Sequence, residues 1–321
     1  MRQRPAGLTP KQRKVARVAN FLQCGPVPVR DLCAIILDYS KHFEYEHNIM
    51  LNGHTNKVTD LIALPNGKFA SSSYDQTVRV WKDGVCLRTL VGHTGRVFAL
   101  AVLPDGKLAS ASDDRTVRVW GDAVCLRALA GHTSGVTTLA VLPGGKLASG
   151  SADCTVRLWD TGSGACLFRL TGHSGWVRSL AVLPGGKLAS GSTDRTVRVW
   201  EDGVCLRTLA GHTSGVISLA VLPDGKLASG SADSTVRVWD PATGERLITL
   251  AGHTEGVSAL AVLPDGKLAS GSLDKTVRVW GMNTLECVLT LPHASEVQCL
   301  AVLKDGSLAA GLGDGTIQVW K

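Results

Sequence analysis

Residues 131–160 read GHTSGVTTLAVLPGGKLASGSADCTVRLWD, and the fold is legible in this stretch. VTTLAV is a short apolar and β-branched run, Pro143-Gly144-Gly145 breaks it, and KLASGS resumes an extended pattern, which together signal a β-hairpin. A turn containing Asp153 leads into TVRLW, and a variable loop leads to a fourth run, ACLFRL. Four short strands cannot bury both faces of a sheet alone, so the unit needs neighbours of its own kind.

The chain supplies them. Shifted over itself by about 40 residues, it aligns Trp81, Trp120, Trp159, Trp200, Trp239, Trp280 and Trp320, which defines seven units. Six open on Gly-His, from Gly53-His54 to Gly252-His253, and the seventh has Pro292-His293. Asn66-Gly67 and Asp105-Gly106 mark the first connection of a unit as a two-residue hairpin turn.

With Gly-His, Asp and Trp in register over residues 53–320, the chain resembles the WD-repeat family. That resemblance implies an all-β, seven-bladed β-propeller. The sequence ends at Lys321, after a third strand, so closure of the last blade requires a strand from elsewhere. Residues 45–51 are the candidate, because pairing there hides an open sheet edge. The expected division is a basic helical segment over 1–44 and a propeller over 45–321.

Charge and composition exclude several functions. Of 34 basic residues, seven lie in residues 1–30, where there is no acid, and the remainder balance the 27 acidic residues. Nucleic acid, which needs many phosphate contacts, is therefore expected only through residues 1–30. No apolar run approaches the roughly 18 residues of a membrane span, and no secretory signal is visible. Cys86, Cys125, Cys166, Cys205 and Cys287 repeat at one position of successive units. Sheets stack about 10 Å apart, whereas a disulfide needs Cα atoms within about 7 Å, so free thiols are expected. Reduced thiols fit a cytoplasmic or nuclear protein. No CxxC pair or other metal motif occurs, and no metal or cofactor is expected.

His, Ser and Asp recur in a set that resembles a hydrolase triad, as in His93, Ser110 and Asp114 with Trp120. Six copies occur, and a set repeated in every unit solves a packing problem rather than creating one reactive site. The family resemblance implies an internal hydrogen-bond network. The seventh unit keeps His293, Asp314 and Trp320 but has Ala310 in place of Ser, so a weaker network is expected there. No phosphate loop or nucleophile elbow occurs, and neither catalysis nor a small-molecule substrate is expected.

Specificity should lie where a unit departs from its siblings. In the family, residues at the start of the innermost strand, and the residue before the turn Asp, face one rim, the top. The departures there are Lys57 and Tyr74 in unit one, Arg96, Phe98 and Asp113 in unit two, and Trp176 and Arg178 in unit four. Ile217, Leu273 and Glu296 complete the candidate partner-binding set. Trp, Tyr and Arg dominate binding hot spots, which makes Trp176 the first choice. The bland alternative is that Trp176 and Phe98 fill grooves between units. The third-strand arginines, Arg79 through Arg278, repeat too regularly to mark one site.

Thr9-Pro10 followed by KQRKVARVANFLQCG predicts a capped helix, and residues 29–42 a second. The stretch PVPVRDLCAIILDYS is faintly similar to the start of an F-box. That similarity implies the alternative of a ubiquitin-ligase substrate receptor. The linkers VWKDGVCLRTL and VWEDGVCLRTL, with the last repeat LPHASEVQCLAVLKDGSLAAGLGDGTIQVW, are similar to the phospholipase A-2-activating or ubiquitin-homeostasis branch. The implied function is a monomeric, non-catalytic scaffold for protein partners, in its most specific form ubiquitin or ubiquitinated proteins. The rival is a nucleic-acid-associated propeller using the basic arm.

Overall fold

The computed structural model describes residues 49–320. The two helices read from residues 9–42, and the boundary after residue 44, lie outside them. The described residues form seven four-stranded antiparallel sheets, each built from strands consecutive in sequence except the last. The first blade runs Val58–Ala63, Phe69–Ser73, Val78–Lys82 and Val85–Leu90. Its innermost strand packs against those of both neighbouring blades, which closes the ring.

Residue size explains the stacking. The second strand of every blade is buried along its whole length, as in Leu147–Ser151 and Leu188–Ser192, and is made largely of Ala, Ser and Gly. A Cβ on Gly150 would stand 2.6 Å from Val177 Cγ1 of the next blade, so only a small residue admits that valine. Each seam then holds one apolar cluster. Ala148, Val156 and Leu170 meet Val177, Leu188 and Trp200 between blades three and four. Outer strands are solvated, and in Val85–Leu90 only Leu90 is buried.

The seventh blade closes as the sequence requires. Ile49–Leu51 pairs antiparallel with Ile317–Trp320, with Leu51 opposite Ile317. Leu51 is 5% exposed and packs with Val58, Phe69, Trp81 and Val319 of blades one and seven.

The hairpin expectation needs correction. In blade one, Asn66 and Gly67 both take positive φ, which is the two-residue turn expected. In blade two, only Gly106 does, and its N–H donates to the Leu103 carbonyl at 2.9 Å. Leu103 N–H reaches across to the Lys107 carbonyl at 2.8 Å, so the loop is the three-residue Pro104-Asp105-Gly106. Proline in the αR region ahead of Asp105 favours a type I turn, which then needs a left-handed third residue.

Candidate functional site: the top face and channel

In six blades, one hydrogen-bond chain fixes the top loops. In blade two, the Trp120 indole N–H donates to Ser110 Oγ at 2.7 Å. Ser110 Oγ stands 2.7 Å from His93 Nε2, and His93 Nδ1 stands 2.7 Å from Asp114 Oδ2. An ionised carboxylate only accepts, so Nδ1 carries the proton, and Nε2 shares a hydrogen bond with the serine hydroxyl, which satisfies both ring nitrogens. Burial lowers the affinity of His173, His212 and His253 for a second proton, against the pull of Asp194, Asp233 and Asp274. At Asp114 burial pushes the carboxyl up, but hydrogen bonds from His93 and Thr116 hold it below the usual range. Asp114 also receives the Thr94 N–H at 3.2 Å, which ties loop, turn and strand together.

A hydrolase serine must open onto substrate, whereas Ser110 and its five equivalents are 0% exposed and capped by an indole. These sets are framework. The third-strand arginines are framework too: Arg118 and Trp120 lie 2.9 and 3.2 Å from where a Cβ on Gly92 would stand. That close approach is why glycine precedes the histidine. Among the described residues, no group of three or more His, Cys, Asp or Glu is placed to hold a metal ion, and no helix is long and apolar enough to cross a membrane. All seven described cysteines are free.

The expected partner-binding residues divide between a rim and a channel. The rim is tied by one backbone bond per blade: Tyr74 N–H donates to the Lys57 carbonyl, Asp113 to Arg96, and Thr193 to Trp176, at 2.9–3.0 Å. Trp176 is 52% exposed, so the groove-filling alternative does not describe it. Leu273 is 38% exposed, and Arg96 and Asp113 also face solvent. Lys57 pairs with Glu296 at 3.3 Å across the blade seven to blade one seam, where Gln298 also donates to Glu296.

Phe98, Arg178 and Ile217 instead line the central channel, a cavity of about 290 Å³. All occupy the second position of an innermost strand. At that position Thr59 and Ser258 donate to the Val97 and Val297 carbonyls of the following blade, each at 2.5 Å, and Thr137 donates likewise to Val177. Phe98, Arg178 and Ile217 have no hydroxyl with which to make this tie. Blades two, four and five, and blade seven with Gln298, have exchanged it for other side chains that line the channel.

Three of the expected residues meet at the mouth, and Arg178 lines the same channel as one of them, Phe98. The Arg96 guanidinium lies 4.8 Å from the Tyr74 ring centroid, and Tyr74 meets Phe98 edge-on at 5.7 Å. Burial lowers the Arg178 pKa. Trp176 precedes Arg178 by two residues, on the rim of the same blade. These residues are visible in the sequence as departures from the repeat, but their arrangement is not, because the innermost strands share one channel only in the assembled ring.

Asp60 was missed. It stands where the other blades have Ala99, Thr138, Ser179, Ser218, Ala259 and Cys299, and it lines the channel. Its carboxylate accepts the Leu61 N–H at 2.8 Å and the Leu100 N–H of the next blade at 2.7 Å. Burial raises its pKa to about 7, against the lowering effect of these two bonds. Its signal in the sequence was a single charge at a position otherwise small and uncharged.

Seven stretches of the chain, 46–82, 84–121, 123–160, 164–201, 203–240, 244–281 and 285–321, match the family described as WD domain, G-beta repeat. The structure is similar to that of the WD40 β-propeller domain of Doa1, with a TM-score of 0.78 and 27% identity, covering 85% of this chain and 95% of that one. That neighbour fits the branch resemblance seen in the last repeat and short linkers. No curated protein sequence matches the chain. Repeat register, blade count and the family match agree, and the chain belongs to the WD-repeat family.

Proposed function

We propose that this propeller is a non-catalytic scaffold that binds protein partners on its top face, with ubiquitin or ubiquitinated proteins as the most specific class. The observation that carries this reading is the convergence of Arg96, Tyr74 and Phe98, with Arg178 lining the same channel as Phe98 and Trp176 exposed on the rim, all at positions that vary among otherwise repeating blades. Aromatic and arginine side chains grouped near the centre of a surface are the usual source of binding energy. Ubiquitin enters through the branch resemblance. A cytoplasmic or nuclear site of action belongs to the same reading, and the free thiols among the described residues fit it.

The test is affinity purification with mass spectrometry on wild type and on a triple variant, Arg96→Glu, Trp176→Ala, Arg178→Glu, once circular dichroism shows both folded. Loss of a set of partners from the variant supports the top face, and ubiquitinated species among the losses support the specific class. Recovery of the same partners by both overturns the assignment.

The seven basic residues in 1–30, with no acid among them, favour a second reading in which the arm contacts nucleic acid. That reading expects strongly salt-dependent binding that deletion of residues 1–30 abolishes.

A further inference from the structure

Arg178 is the only cationic side chain among the seven second-position residues that face the channel. It is half-buried, and no carboxylate among the described residues pairs with it. Taking a guanidinium out of water without a counter-charge costs stability, and the six siblings show that the fold tolerates Thr, Ser, Ile, Phe or Gln there. Nothing in its own blade pairs with the charge, and none of its nitrogens is sealed from solvent, so the guanidinium is open to a partner from the channel. Nearby acids are otherwise engaged: Glu296 is paired with Lys57, and Asp60 accepts two backbone N–H groups. Asp113 faces solvent on the rim of blade two.

The surroundings define what completes the site. Phe98 lines the same channel as Arg178 and meets Tyr74 edge-on, and the Arg96 guanidinium lies over the Tyr74 ring as a second cation. A planar guanidinium presents a fork of N–H donors that matches a carboxylate or phosphate, and the aromatic walls reduce competition from water. The channel of about 290 Å³ admits a side chain but not a folded element.

We infer that Arg178 receives an oxyanion, a carboxylate or phosphate carried on an extended segment of a protein partner, inserted into the top mouth of the channel between Tyr74, Phe98 and Trp176. This rests on the proposed partner-binding role of the top face and adds the chemistry of the group recognised. Specificity then requires the acid itself, since a neutral amide leaves the guanidinium unpaired.

The experiment is selection of a random heptapeptide display library on the full chain and on Arg178→Met, followed by titration of synthetic peptides. Wild type is expected to enrich peptides with Asp or Glu at one fixed position, and Arg178→Met to lose that enrichment. The selected peptide should lose at least tenfold in affinity when its acid is replaced by Gln or when Arg178 is replaced by Met. A phosphoserine peptide and free inorganic phosphate separate the sources: a phosphopeptide that binds tighter than the carboxylate assigns phosphate, and the reverse assigns a carboxylate side chain. Arg178→Met should melt no lower than wild type, because it removes an uncompensated charge; a purely structural arginine would lower the melting temperature. Peptides without a preferred acid, enrichment unchanged in the variant, or no selected peptide at all overturns the inference. Partners lost on changing Arg96 and Trp176 alone would in that case leave the top-face reading standing.

Discussion

His293 Nδ1–H donates to Gln318 Oε1 at 2.6 Å, so the seventh histidine turns to the third strand of its blade rather than to a turn aspartate. Three departures from the repeat explain one another. Ala310 offers no hydroxyl, Gln318 replaces the third-strand arginine, and Pro292 replaces the glycine that the arginine and tryptophan would crowd. Asp314 retains only its bonds to Thr316, and His293 Nε2 is buried without a partner in the structure. The expected weakening is present, but with a substitute bond that the sequence comparison did not anticipate.

Blade seven should open first. In hydrogen exchange followed by NMR, the Trp320 indole N–H, with no serine beneath it, is expected to exchange faster than that of Trp280, which Ser270 holds at 2.8 Å. Equal protection of the two would remove the argument that the serine-centred chain sets local stability.

Ser270→Ala should be costly for its size. It removes one buried hydroxyl but leaves both the Trp280 indole N–H and His253 Nε2 unpaired, a loss of about 1–3 kcal/mol for each group left unsatisfied. Ser272→Ala, which leaves backbone groups near a solvated turn, should cost about 1 kcal/mol. Denaturant melts of the two variants decide the order.

Closure by the first strand should be measurable through Leu51. Its burial among residues of blades one and seven predicts that Leu51→Ala lowers stability by about 2–5 kcal/mol, and that the loss appears in the whole propeller. A melting temperature equal to wild type would show that the strand is dispensable.

Asp60 should depress stability as pH rises. Its native pKa, raised from 3.8 to about 7, means the folded state binds its proton more tightly than the unfolded chain. Stability from this group is present below about pH 4 and lost as pH climbs to about 7, with a slope of no more than about 1.4 kcal/mol per pH unit. The histidines with lowered affinity for a proton, His173, His212, His253 and His293, act in the opposite sense, losing stability as pH falls through 6.5. Only the difference between wild type and Asp60→Asn isolates the carboxyl. The variant is expected to gain on wild type between about pH 4 and about pH 7, with no further gain above that. A constant difference across that range would show that the carboxyl titrates normally.

The sequence by itself determined the blade. Trp spacing, the Gly-His opening, the alternating runs and the turn residues are local signals, repeated seven times, and each is tied to a backbone or packing demand within one unit or its neighbour. It also identified residues that depart from the repeat, Trp176, Arg178, Tyr74, Phe98 and Arg96 among them. Tertiary structure decided what those departures do. Whether the second position points to the rim or the channel depends on how each innermost strand enters the ring. The meeting of Tyr74 with Phe98 and Arg96 depends on the stacking of blade one on blade two, and the place of Arg178 in the same channel as Phe98 depends on the ring that gathers the innermost strands around one axis. The raised pKa of Asp60 likewise arises from its burial in the assembled channel, where the Leu100 N–H of the next blade reaches its carboxylate.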